Sequence, residues 1–174
     1  PLINVALLAA VAWGDYDNDG DPDIAIAGSD GTGVGRKTRV YRNDLGTFTD
    51  IHAAIDSIWQ GTLDWGDYDN DGDLDLLISG FTVGSLRVSK LYRNDTGTFV
   101  LTPEALTGAL AGSIAWGDYD NDGDIDLLLT GAASNDSRIA LLYNNNSPVL
   151  NSVPVVPSGL SAAVNDYDVT VSWN

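Results

Sequence analysis

The chain has no cysteine, a single histidine, a single glutamate and only 8 basic residues among 174. Each shortage removes a class of function. Without cysteine there is no disulfide framework, no thiolate metal site and no cysteine nucleophile, and cysteine usage leaves the redox compartment open. His52 is the lone histidine, so a nucleophile–base pair would rest on that one residue. No stretch approaches the roughly 18–20 apolar residues of a membrane-spanning helix, so no membrane insertion is expected. The opening Pro1 to Ala10 is faintly like a signal core, but it lacks an initiator Met and a basic flank and aligns with repeat sequence further on. It reads as the start of a cut fragment, with any export signal upstream. Eight basic residues against 25 acidic ones leave a net charge of -17. That balance excludes nucleic acid and anionic membrane surfaces as expected partners.

What is present is as one-sided as what is missing. Glu104 is the only glutamate, so the acidity is almost entirely aspartate. Short carboxylates in such excess suit tight loops better than an evenly solvated surface. With 44% hydrophobic residues and recurring Trp and Tyr, the chain is not a disordered acidic tail.

The dominant feature is repetition. Trp13-Gly14-Asp15-Tyr16-Asp17-Asn18-Asp19-Gly20-Asp21 returns intact at Trp65 to Asp73 and at Trp116 to Asp124, spaced 52 and 51 residues apart. A second marker keeps the same period: Tyr41-Arg42-Asn43-Asp44, Tyr92-Arg93-Asn94-Asp95 and Tyr143-Asn144-Asn145-Asn146. A strand leads into each Trp, and an apolar run closed by glycine follows each Asp loop (Ile24 to Gly28, Leu76 to Gly80, Leu127 to Gly131). Runs without alternation fit strands covered on both faces. A third strand ends at each Tyr marker, and Thr47-Phe48 and Thr98-Phe99 open a fourth after a turn. Four short strands per period of about 50 residues describe one propeller blade.

The expected fold is therefore all-β: a partial β-propeller of three blades, at 1–52, 53–103 and 104–147, the third lacking its outer strand. Three blades cannot close a ring, so this reads as the C-terminal part of a larger propeller, with remaining blades upstream. Weak helix signals at Ala53 to Ile58 and Pro103 to Leu110 fall where linkers between blades belong. A proline-bearing linker follows at 148–157. Residues 158–174 resemble the first two strands of a fibronectin type III domain, a truncated β-sandwich start with Leu160 and Trp173 as its core.

Each loop reads Asp-x-Asp-x-Asp-Gly-x-x-Asp, with carboxylates at positions 1, 3, 5 and 9 and glycine at 6. Calcium takes 6–8 hard oxygen ligands at about 2.3–2.6 Å in a tolerant geometry. Alternate side chains turn inward, and glycine permits the positive φ that folds the chain back. Position 7 then offers its backbone carbonyl, and position 9 closes the cage. Four carboxylates within about 4–5 Å repel by roughly 4 kcal/mol per close pair at an effective dielectric of 20, which a cation relieves. No His or Cys lies in the loops, so softer metals fit less well. Magnesium prefers fewer protein ligands and stricter geometry. Position 12 is Ile26, Ile78 or Leu129, where an EF-hand needs a bidentate Glu, so the EF-hand reading fails.

On these motifs the units resemble FG-GAP repeats of the VCBS type, related to the calcium-binding blades of integrin α-subunit propellers. The resemblance covers residues 1 to about 147. It implies about three calcium ions, one per hairpin loop between the first two strands of a blade, on one rim. The matching positions are Asp15, Asp17, Asp19, Asp21 and Asp23; Asp67, Asp69, Asp71, Asp73 and Asp75; and Asp118, Asp120, Asp122, Asp124 and Asp126.

The remaining marked residues have structural readings. Trp13, Trp65 and Trp116 pack between blades, and Tyr41, Tyr92 and Tyr143 pack with a polar tip exposed. His52 is a surface residue, Trp59 a candidate surface contact, and Arg42 and Arg93 partners for loop carboxylates. Asn94, Asn135 and Asn145 head glycosylation acceptor triplets, which matter in a eukaryotic secretory setting. The expected function is a non-enzymatic, extracellular binding or adhesion module, rigidified by calcium, with a protein or glycan ligand. The alternatives are a carbohydrate-binding protein, the propeller portion of a secreted polysaccharide-degrading enzyme, or an architectural spacer. A glycosidase needs two carboxylates across a cleft, and nearly every repeated Asp is already assigned to metal.

Overall fold

The computed structural model describes residues 7–31 and 35–147, together with strands at 161–165 and 168–172. Every regular element among these residues is a β-strand. The first sheet runs β1 (Leu7–Gly14), β2 (Asp23–Ser29), β3 (Arg36–Asp44) and β4 (Thr47–Asp50), in sequence order and antiparallel throughout. The second repeats it as β5 (Trp59–Gly66), β6 (Asp75–Phe81), β7 (Arg87–Asp95) and β8 (Thr98–Leu101). The third has three strands, β9 (Ile114–Gly117), β10 (Asp126–Ala132) and β11 (Arg138–Tyr143). Two four-stranded blades and a three-stranded one follow from the repeat pattern.

Register keeps the repeats in phase. Trp13 pairs with Ile24, Trp65 with Leu76 and Trp116 with Leu127. β2 and β6 each bury six or more consecutive residues, as expected of second strands covered on both faces. The third and fourth strands join through Leu45-Gly46 and Thr96-Gly97. Both residues of each pair have positive φ (50° and 89°; 49° and 88°), so the turns are of the type that matches strand twist.

The sheets stack face to face, and the seams between them hold the two largest core clusters, with a smaller one of Ile24, Ile26 and Tyr41 on the other face of the first sheet. In the first seam, Ala25, Ala27 and Val40 meet Leu63, Trp65, Leu76 and Ile78, with Tyr16 and Phe99 at the rim. Trp65 lies 6.2 Å from Tyr16 and 5.9 Å from Phe99, centroid to centroid. In the second seam, Leu77 and Leu91 meet Ile114, Leu127, Leu129 and Trp116. Glycine after each Trp makes this approach possible. A Cβ on Gly14 would sit 2.7 Å from the Trp65 ring, and one on Gly66 would sit 2.8 Å from the Trp116 ring. Among the described residues, the equivalent Gly117 has nothing within 4 Å of its Cβ position. Polar ties cross the same seams: Arg36 donates to the Thr82 carbonyl, and Arg87, its repeat equivalent, donates to the Ala132 and Ala133 carbonyls and pairs with Asp136.

The connections at Ala53 to Ile58 and Pro103 to Leu110 are irregular, not helical. Their backbone is held by the Tyr markers: the Asp56 N–H donates to Tyr92 Oη and the Thr107 N–H to Tyr143 Oη. The tyrosine tips therefore anchor linkers, where the sequence suggests solvent contact. Trp59 is likewise structural, stacked on Phe81 at 6.0 Å with the Arg36 guanidinium 5.1 Å from its ring centroid. His52 is exposed, 3.4 Å from Asp50. At the C-terminal end, β12 (Ser161–Asn165) and β13 (Asp168–Ser172) form a two-stranded antiparallel sheet.

Candidate metal centre

All three Asp loops sit at the same end of their sheets, between the first and second strands of each blade. Within each, the carboxylates of positions 1, 3 and 5 converge. One oxygen from each of Asp15, Asp17 and Asp19 lies within 4.8 Å of the others, as do those of Asp67, Asp69 and Asp71, and of Asp118, Asp120 and Asp122. Local hydrogen bonds impose this convergence. In loop 1, Asp15 accepts from the Asp19 and Gly20 N–H groups at 3.1 and 2.9 Å, and Asp19 accepts from the Asp21 N–H at 2.8 Å. Loops 2 and 3 repeat the set through Asp67 and Asp71, and through Asp118 and Asp122. The turn itself needs two left-handed residues, Asn18 (φ 58°) and Gly20 (φ 91°), with near-identical values at Asn70, Gly72, Asn121 and Gly123.

Positions 7 and 9 have different surroundings. The position-7 side chain ties its loop to the segment that follows the third strand, a hairpin turn in the first two blades. Asp21 accepts from the Leu45 N–H, Asp73 from Thr96 and Asp124 from Ser147, at 2.8 to 2.9 Å. The position-9 carboxylate is fully buried and spans two strands. Asp23 accepts from the Tyr16 and Asn43 N–H groups, Asp75 from Tyr68 and Asn94, and Asp126 from Tyr119 and Asn145. The structure thus gathers nine of the fifteen aspartates into three clusters. The other six brace the loops through their side chains.

One observation tests whether these clusters fit a metal ion. Asp17 Oδ1 and Asp69 Oδ1 are buried and have no hydrogen-bond donor. A buried carboxylate oxygen left unpaired is costly, and a cation among the three carboxylates removes that cost. The donor set is all hard oxygen, without imidazole or thiolate. The residues fit a hard metal ion.

A family profile described as FG-GAP-like repeat matches residues 15–78 and 81–129, about two thirds of the chain. The chain belongs to the FG-GAP-like repeat family. Its first matched segment opens on the position-1 Asp of loop 1, and the second spans loop 3. No curated protein matches the chain. The match ends before the β12–β13 hairpin, and nothing identifies that hairpin as fibronectin type III; Leu160 and Trp173 lie outside the described residues.

The electrostatics of the FG-GAP loops follow from burial. Desolvation raises the Asp17 and Asp69 carboxyls above the ordinary carboxylate range, and the adjacent loop carboxylates push the same way. Burial also raises Asp67 and Asp23, and it pushes Asp75 up to about 7 against its two N–H bonds. For an acid whose folded pKa exceeds its unfolded value of about 4, folding takes up a proton. The stability it contributes is full below the unfolded pKa and is lost as pH rises through the folded one. Metal-depleted protein should therefore lose stability between about pH 4 and pH 7, and urea midpoints across that range measure it. A flat or rising profile would contradict the burial of these charges.

Two groups escape a sequence reading. Arg42 and Arg93 pair with Asp44 and Asp95 on their own strands, not with the loops. The asparagines of the Tyr markers turn inward: Asn94, fully buried, donates to the carbonyls of Tyr16 and Leu74, and Asn145 to those of Tyr68 and Ile125. Their recurrence as Asn43, Asn94 and Asn145 is the signal that points to them.

Proposed function

We infer that the chain is a calcium-stabilised, non-enzymatic binding or adhesion module that works outside the cell. The observation that carries this reading is the pair of unpartnered carboxylate oxygens, Asp17 Oδ1 and Asp69 Oδ1, each inside a converged triad of aspartates. Calcium suits an all-oxygen cage in a flexible loop, and extracellular calcium modules bind with dissociation constants of ~10⁻⁴–10⁻³ M. A millimolar-calcium compartment keeps such loops filled. With metal and backbone N–H groups engaging the repeated loop aspartates, those carboxylates are committed to holding the loops.

The ligand is a protein or glycan held by the rigid stack, and further blades of the full-length chain continue that stack. Trp13 and Val11 support the second point. They are 61% and 62% exposed on the face whose repeat equivalents, Trp65 and Leu63, are buried at the next seam.

The three loops are not equal. Asp120 accepts from Asn144 Nδ2 at 2.6 Å, at the position where the other repeats carry Arg42 and Arg93, and all three loop-3 carboxylates are exposed. Calcium must displace that amide and works in a wetter site, where charge attraction is weaker. Loop 3 should bind several-fold more weakly than loops 1 and 2. An NMR calcium titration that follows the Gly20, Gly72 and Gly123 amides measures all three. Shifts at Gly20 and Gly72 saturating before Gly123 support the reading; amides that ignore millimolar calcium refute it.

A further inference from the structure

The loops touch one another in a regular way. Asn18, at position 4 of loop 1, donates through Nδ2 to the Asp73 carboxylate at 2.8 Å and to the Gly72 carbonyl at 3.2 Å, both in loop 2. Asn70, at position 4 of loop 2, donates to the Asp124 carboxylate of loop 3 at 2.6 Å. A second link lies beneath each of these. The buried Asn94 joins the Tyr16 carbonyl of loop 1 to the Leu74 carbonyl of loop 2. Asn145 joins Tyr68 of loop 2 to Ile125 of loop 3.

These four residues connect loop residues that adjoin the converged aspartates. Asn18 lies between Asp17 and Asp19, in a left-handed conformation fixed by closure of its own loop. Its acceptor, Asp73, is the residue whose N–H is held by the Asp71 carboxylate of the next triad. Tyr16, held by Asn94, lies between Asp15 and Asp17. Closing one cage therefore positions backbone and side chain of the next.

We propose that adjacent metal loops are energetically coupled through these asparagines, so that calcium binds the row cooperatively, with Asn18 and Asn70 acting as positioning residues between sites. The proposal rests on the calcium reading above. Coupling between sites is reciprocal and typically amounts to a factor of 5–150; contacts at an exposed rim place it near the low end, at about fivefold.

A double-mutant cycle tests it. Asp17→Asn weakens loop 1 by removing the unpartnered carboxylate while leaving the Asp15 and Asp19 hydrogen bonds in place. Asn18→Gly removes the amide but keeps the left-handed backbone at little cost. The readout is the calcium midpoint at the Gly72 amide in the parent, both single variants and the double. The expected result is that Asp17→Asn raises the Gly72 midpoint about fivefold in the parent and much less in the Asn18→Gly background. A plain through-space charge effect would be the same in both backgrounds, and that result, or no effect on Gly72 at all, would overturn the proposal. If the first set folds poorly, the cycle of Asp69→Asn with Asn70→Gly, read at Gly123, tests the same coupling one loop further on, with the same two outcomes. A parent protein in which no loop responds to calcium refutes the calcium reading itself, whereas loops that fill independently refute only the coupling.

Discussion

Replacing Trp65 with alanine should destabilise the protein by about 3–5 kcal/mol, while the same change at Trp13 should cost about 1 kcal/mol or less. The two residues occupy one repeat position, follow the same strand pattern and precede the same Gly-Asp-Tyr-Asp string. They differ only in what covers them. Trp65 is 7% exposed, wedged between Tyr16 and Phe99 and seated on the bare backbone of Gly14. Its removal opens a cavity that the first blade cannot fill, because Ala25 and Ala27 are small and fixed in a central strand. Trp13 is 61% exposed and keeps one edge contact with Phe48, at 6.3 Å, and such a pair contributes about 0.5–1.5 kcal/mol. Urea unfolding of both variants measures the difference. Equal losses would mean that the blades do not stack through the Trp positions.

That pair of residues also marks what could and could not be read from the sequence. Periodicity was enough to place the loops and strands, because each repeat carries glycine at position 6 and an apolar run of strand length, and the first two add a two-residue hairpin after the Tyr marker. Burial could not be read the same way. Trp13 and Trp65 open the same nine-residue string, and the presence of a neighbouring blade separates their burial. The weak helix signals at Ala53 to Ile58 and Pro103 to Leu110 did not become helices, and both segments are the linkers between blades that their position indicates. Those segments are pinned by Tyr92 and Tyr143 hydroxyls from other strands, and tertiary anchoring overrode a weak local preference. In the candidate site, spacing marked fifteen aspartates, of which nine converge in triads, and it did not show their division of labour. The triads at positions 1, 3 and 5 are local, within five residues, and could be inferred. The second roles of positions 7 and 9 depend on N–H groups about 20 residues away, across a strand pair. The bridging asparagines connect residues up to 78 positions apart, which no short motif encodes.

The second large effect concerns the metal itself. At ten times its dissociation constant, each calcium contributes about 1.4 kcal/mol of stability. Two strong loops and one weaker loop together give about 3–4 kcal/mol, a sizeable share of the ~5–15 kcal/mol that holds a typical domain together. For a chain of this length that corresponds to a rise of roughly 10 °C in melting temperature. Relief of repulsion is part of that binding energy, since the chain carries a net charge of -17 and its loop carboxylates converge. Screening by any salt would relieve part of that repulsion, so the comparison has to be made at matched ionic strength. The decisive measurement is differential scanning calorimetry of metal-depleted protein at neutral pH, with millimolar calcium against sodium chloride of equal ionic strength. Clustered aspartates built to hold calcium predict a transition roughly 10 °C higher in the calcium sample, reversed by chelator. Superimposable transitions would contradict it.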